Sequence, residues 1–171
     1  MMTLNRGLEK KMTDDELKVA LLQKKALTAL KIFEDEMMPT DNDIAEEFFF
    51  QSLIKDNHLG SVHFDDVIKS MQKHRGQIQE EYDLVMTNGD AVGIVEVKYK
   101  AHENDLDKLD RKMRHFKKLF PIYQNYKQYG AIASFYINDD AKKEALKRGY
   151  FVLQRSGDLV HTESSEHLTV L

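Results

Sequence analysis

The chain has 171 residues, 42% of them hydrophobic and 32% charged, with no cysteine and no tryptophan; that is enough for one α/β core, and it excludes disulfides and thiolate zinc sites. The formal net charge is −4, so any contact with nucleic acid must rest on a local basic surface rather than on the chain as a whole. No apolar run reaches the ~18 residues of a membrane span, the N-terminal stretch has no continuous apolar segment of the secretory kind, and the expected location is the cytoplasm.

The first dozen residues are polar and are expected to be loose. Thr13 followed by Glu16 reads as a capping box and predicts a helix from about Asp14 to Met37. Val19, Leu22, Ala26, Ala29 and Phe33 recur at spacings of three and four, a coiled-coil-like seam, and Leu17, Leu21, Leu27 and Leu30 add a second apolar stripe. Such a helix is not stable alone in water, so it must pack on the body of the protein or on a second copy of itself. Pro39 ends it. Residues 1–38 are therefore read as an N-terminal helical extension and residues 39–171 as the α/β domain.

In that domain Thr40 or Asp41 caps a helix with the sequence DIAEEFFFQSLIKD, whose core face is expected from Ile44, Phe48, Phe49, Leu53 and Ile54. A short extended piece, SVHFDDVI, follows. QIQEEYDLVMT reads as a strand, Asn88-Gly89 as a hairpin turn and AVGIVEVKYK as the returning strand. An amphipathic helix is predicted from about Glu103 to Phe120, with Leu106, Leu109, Met113, Phe116 and Phe120 on one side. GAIASFYI is a strand, DDAKKEALKRG a short helix with acids first and bases last, and YFVLQRS and DLVHT complete the sheet. The order defines an α/β sandwich with a mixed central sheet flanked by helices.

The chemistry concentrates on the hairpin. Side chains alternate across a strand, so Glu96 and Lys98 share a face. If Asn88 and Gly89 are the two loop residues, Thr87 pairs with Asp90 and Asp83 lies opposite Ile94, on the face of Glu96 and diagonal to it. A four-residue loop gives the same register of faces, and a three-residue loop would turn Asp83 away. Two carboxylates converging on one spot repel unless a cation neutralises them, and a hard divalent ion such as magnesium takes carboxylate oxygen and water. Lys98 beside them would hold or activate an attacking water, or offset phosphate charge, and the backbone carbonyl of Val97 is a further candidate ligand. The bland alternative is a surface salt bridge between Glu96 and Lys98. It is disfavoured because VGIVEVKY otherwise reads as a buried strand, where charges are costly.

The pattern Y-D-L-V, hairpin turn, I-V-E-V-K resembles the signature of the PD-(D/E)XK nuclease superfamily, with Asp83 at its first acid, Glu96 at its second and Lys98 at its lysine. The resemblance spans Asp41 to about Leu153 and implies a restriction-endonuclease-like fold, phosphodiester hydrolysis with Mg²⁺ or Mn²⁺, and a nucleic-acid partner, DNA ahead of RNA. It also implies an acidic residue from the first core helix, for which Glu46 is preferred and Glu47 is the fallback. Tyr82 stands where the signature has proline.

Lys108, Arg111, Lys112, Arg114, Lys117 and Lys118 make the strongest local basic surface, which is either a phosphate contact or a solvated helix face. Lys100 and His102, just past the motif, and Gln79, which shares the strand parity of Asp83 together with Glu81, are further candidate nucleic-acid contacts. Tyr123, Tyr126 and Tyr129 read as packing at a helix end rather than as a base-stacking platform. The rival to a nuclease is a non-catalytic nucleic-acid- or protein-binding module that keeps the fold. A homodimer through the N-terminal helix fits either.

Overall fold

A computed structural model describes residues 11–171; the expectation of a loose N-terminus falls mainly on residues 1–10, outside the described residues. The chain divides into two compact units, with the boundary between Pro39 and Thr40.

The first unit carries helix α1, Asp14–Met37. Thr13 Oγ1 accepts from the Glu16 N–H at 3.2 Å and Glu16 Oε2 from the Thr13 N–H at 3.1 Å, so both halves of the capping box form. Val19, Leu22, Leu27, Leu30 and Phe33 are each more than half exposed, so the helix buries little apolar surface of its own.

The second unit runs α2 (Asp41–Lys55), β1 (His58–Leu59), β2 (Val62–His63), β3 (Asp66–Arg75), β4 (Ile78–Thr87), β5 (Ala91–Ala101), α3 (Glu103–Leu119), a 3-10 turn (Pro121–Tyr123), β6 (Lys127–Ile137), α4 (Asp139–Lys147), β7 (Phe151–Ser156) and β8 (Leu159–Glu163). Six strands form one sheet in the order β3-β4-β5-β6-β7-β8. The β5–β6 and β6–β7 pairs are parallel and the others antiparallel, so the sheet is mixed and its parallel steps cross over through α3 and α4. Helix α2 covers one face through Ala45, Phe49 and Leu53, packed with Leu84, Met86, Val95 and Val97. Helices α3 and α4 cover the other through Leu106, Leu109, Met113, Phe116 and Ala145, packed with Tyr82, Val85, Val92 and Ile94. This is the α/β sandwich expected, and the succession α2, β3–β4–β5 meander, α3, β6 is consistent with the restriction-endonuclease-like fold.

The structure corrects three local expectations. On α2 the buried stripe is Ala45, Phe49 and Leu53 at i, i+4 and i+8, with Phe48 half-buried; Ile44 and Ile54 fall off it and are exposed. The extended piece after α2 is much longer than its apolar part, because β3 continues through the polar run Lys69 to Arg75 as an exposed edge strand, which needs no apolar alternation, and turns back at Gly76, φ +64°. The β4–β5 turn is also wider than two residues. Thr87 pairs with Val92, not Asp90. Asn88 Oδ1 accepts from the N–H groups of Asp90 and Ala91 at 2.9 and 2.7 Å, a side-chain-closed loop with Gly89 at φ +87°. The register moves by two, so Asp83 comes level with Glu96 rather than Ile94.

Candidate active site at the fork of the sheet

Strands β4 and β5 are paired only from Leu84–Val95 to Thr87–Val92. Beyond that point β4 stays with β3 and β5 with β6, so the sheet forks. Asp83 sits at the fork, and its Oδ2 accepts from the backbone N–H of Val97 at 2.9 Å. The carboxylate thus takes the place of a ladder partner.

The strand alternation also breaks here. Tyr82 packs with the α3-side core, yet Leu84, two residues on, packs with the α2-side core. Opposite Asp83, Ser70 has φ +58°, and the β3–β4 pairing passes from Lys69–Leu84 to Met71–Tyr82 without it. Gln79 and Glu81 are exposed on β4 and, with Glu80, Arg111 and Lys112, line a second cleft.

Two further carboxyl groups feel the charge of Asp83. Helix α2 supplies Glu46, half-buried. Burial first, then the charge of Asp83 and a hydrogen bond with it, push the Glu46 carboxyl up to about 7. Its neighbour Glu47 points elsewhere, to Lys69 Nζ at 2.6 Å and Gln51 at 2.9 Å. β5 supplies Glu96, only 3% exposed. Burial and then Asp83 push its carboxyl up to about 7 as well, while Lys112 and Lys98 oppose the rise. Lys98 follows two residues on, half-buried on the same strand face as Glu96. Asn42, one turn before Glu46, ties α2 to β5 by accepting from the Tyr99 N–H at 2.8 Å.

The row of bases on α3 is not a free face. Lys112 Nζ lies 2.8 Å from Glu96 Oε2, with only 11% and 3% of the two side chains exposed. Arg111 reaches Glu80 through Nε at 2.7 Å and Nη2 at 3.1 Å, and His115 Nδ1 lies 3.1 Å from the same carboxylate. Burial alone would raise Glu80, but Arg111 and His115 hold it below its ordinary value. Lys108 stays half exposed, 3.8 Å from Asp105. Lys100 and His102 are exposed. With Lys98, Tyr99, Asn42 and Asp105 they line a cleft of about 380 Å³ beside the fork. Tyr123 stacks on Phe116 at 5.5 Å and meets Tyr126 edge-on, the packing role expected of them.

Sequence reading missed Lys112 as a site residue. The signal was available: on α3 it lies four residues before Phe116 and three after Leu109, at the border of the buried stripe, so a cation there is carried inward.

Carboxylate oxygens are the donors that Mg²⁺ and Mn²⁺ take, and an all-oxygen set in which burial and then the charge of Asp83 raise Glu46 and Glu96 suits a hard divalent cation. The donor chemistry therefore fits such an ion. As the side chains stand, among the described residues no three ligand side chains are gathered tightly enough to enclose one, and Lys112 occupies Glu96.

No family model and no curated protein matches the chain. Solved structures similar to it include a repair endonuclease from Pyrococcus abyssi (17% identity, 65% of this chain and 46% of that one, TM-score 0.43). They also include EndoMS in a complex with double-stranded DNA (10%, 66% and 44%, 0.44) and a protein from Vibrio cholerae (14%, 66% and 29%, 0.44). The chain spans less than half the length of each. Among the described residues no helix is long and apolar enough to cross a membrane.

Proposed function

We propose that this chain is a metal-dependent nuclease that hydrolyses phosphodiester bonds in DNA. The observation that carries the reading is Asp83 at the fork of the sheet, near enough to Glu46 and to Glu96 to help burial push both carboxyls up to about 7, with Lys98 on the strand face of Glu96. Buried like charges of this kind are costly to a fold and are kept where chemistry uses them. DNA is the substrate that the resemblance to restriction, repair and recombination enzymes brings first.

In this reading Asp83, Glu96, Glu46 and the Val97 carbonyl hold a Mg²⁺ or Mn²⁺ ion, whose chemistry is to polarise a phosphoryl oxygen and lower the pKa of a water. Lys98 Nζ orients the attacking water and offsets charge gathering on the phosphate. The Val97 N–H fixes the Asp83 carboxylate through Oδ2 and leaves Oδ1 to the cation. Lys100 and His102 line the cleft and, with the half-exposed Lys108 on α3, serve as phosphate contacts, which would position the backbone without reading sequence. Arg111 is held by Glu80 and joins them only if that pair opens. Two copies joined through α1 would present one site to each strand.

The test is incubation with plasmid, single-stranded and branched DNA in Mg²⁺ or Mn²⁺, beside Lys98→Ala. Cleavage by the native chain and its loss in the variant are expected, with linear plasmid as an early product if paired sites cut together and nicked circles if one site acts alone. Absence of cleavage on every substrate, with no calorimetric metal binding, would leave the non-catalytic binding module, a reading that the closed Lys112–Glu96 pair favours.

A further inference from the structure

Glu96 does not wait with a free carboxylate. Its Oε2 is 2.8 Å from Lys112 Nζ, the pair is nearly sealed from solvent, and the lysine arrives from a different element, sixteen residues along the chain. The helix around it is held firmly. The Lys112 backbone carbonyl accepts from Tyr82 Oη at 2.8 Å, tying α3 to the strand that carries Asp83, and Arg111 is clamped to Glu80 on the same strand. Lys112 therefore reaches Glu96 from a fixed backbone, with only its four-carbon stem free to move.

An ammonium and a divalent cation both answer the charge of a buried carboxylate, so each weakens the hold of the other on it. We infer that Lys112 is a positioning residue that serves as a built-in counter-ion: it occupies Glu96 in the metal-free protein and must be displaced when a divalent cation binds. It would hold Glu96 in place from α3 and lower the apparent affinity for the metal. The inference rests on the nuclease reading, because it presumes that Glu96 is a cation ligand.

The test is calorimetric titration of the full chain with Mn²⁺ at pH 8, native against Lys112→Met and Lys112→Gln, with circular dichroism to show that each is folded. Removing the competitor is expected to tighten Mn²⁺ binding on the order of tenfold in the Met variant and less in the Gln variant, which still donates a hydrogen bond to Glu96. Cleavage by the Met variant should fall despite the tighter binding, a split that a merely structural lysine would not give. Mn²⁺ affinity unchanged or weakened in both folded variants would overturn the inference and leave the nuclease reading standing. Mn²⁺ bound by none of the three proteins would overturn both.

Discussion

Asp83→Asn is expected to abolish Mn²⁺ binding and to lower cleavage by about 10³-fold or more, the loss that follows when a cation supplying several kcal/mol of charge stabilisation is no longer held. The same change should make the metal-free protein more stable at pH 8. Asparagine keeps the shape of aspartate and can still accept from the Val97 N–H, so the fork stays closed. Only the negative charge is lost, and that charge is a cause of the raised carboxyls of both Glu46 and Glu96. Relief of the repulsion is worth about 1 kcal/mol or more by the usual conversion of a pKa shift, or a rise in Tm of about 2–4 °C for a chain of this size. A structural salt-bridge cluster would respond the other way, losing stability with the charge. Chemical denaturation in urea without metal, beside a Mn²⁺ titration, separates the two.

The second large effect is a stability that falls as pH rises through the neutral range. Glu46 and Glu96 have folded pKa values near 7, above the ordinary 4.5. Between those values the native state binds more protons than the unfolded chain, so the free energy of unfolding decreases with pH across about 4.5–7 and levels off above it. For the buried Glu96 the loss is on the order of 2–3 kcal/mol, with a smaller share from the more exposed Glu46. Carboxylates held low, such as Glu80 with its arginine and Glu47 with Lys69, contribute in the opposite sense, but only where pH drops through the ordinary carboxylate range. A thermal melt series from pH 5 to 8 therefore isolates the fork. Mg²⁺ or Mn²⁺ at about a hundred times its Kd should restore about 2.7 kcal/mol at pH 8 and little at pH 5, where protons compete for the same oxygens. Melting temperatures flat from pH 5 to 8 and indifferent to metal would contradict the arrangement.

Much of this was legible in the chain because it is written locally. The capping box Thr13–Glu16 and the cap offered by Thr40 mark where two helices start, and the apolar run around E-x-K marks a buried strand with two charges that need a reason. The face shared by Glu96 and Lys98 follows from alternation alone. What was not legible depends on contacts between distant residues. The loop after Thr87 widened because Asn88 closes it with its own side chain, and a single turn dipeptide does not distinguish that from the tighter hairpin. The break in alternation between Tyr82 and Leu84 was hidden because it goes with Ser70, on the neighbouring strand, at φ +58° opposite Asp83. The length of β3 escaped notice because an edge strand can run on through polar residues such as Lys69–Ser70 and Gln72–Arg75. The pairing of Arg111 with Glu80 and of Lys112 with Glu96 joins elements 31 and 16 residues apart, so a run of bases that reads as a solvated face turns partly inward.

The central claim is that the fork of the sheet is a cation site, and a crystal grown or soaked with Mn²⁺ at pH 8 tests it most directly. The account predicts an anomalous peak held by Asp83 and Glu96, with Glu46 and the Val97 carbonyl at its margin and Lys112 Nζ withdrawn from Glu96. A manganese-rich crystal with no peak at the fork, and Lys112 still seated on Glu96, would contradict it.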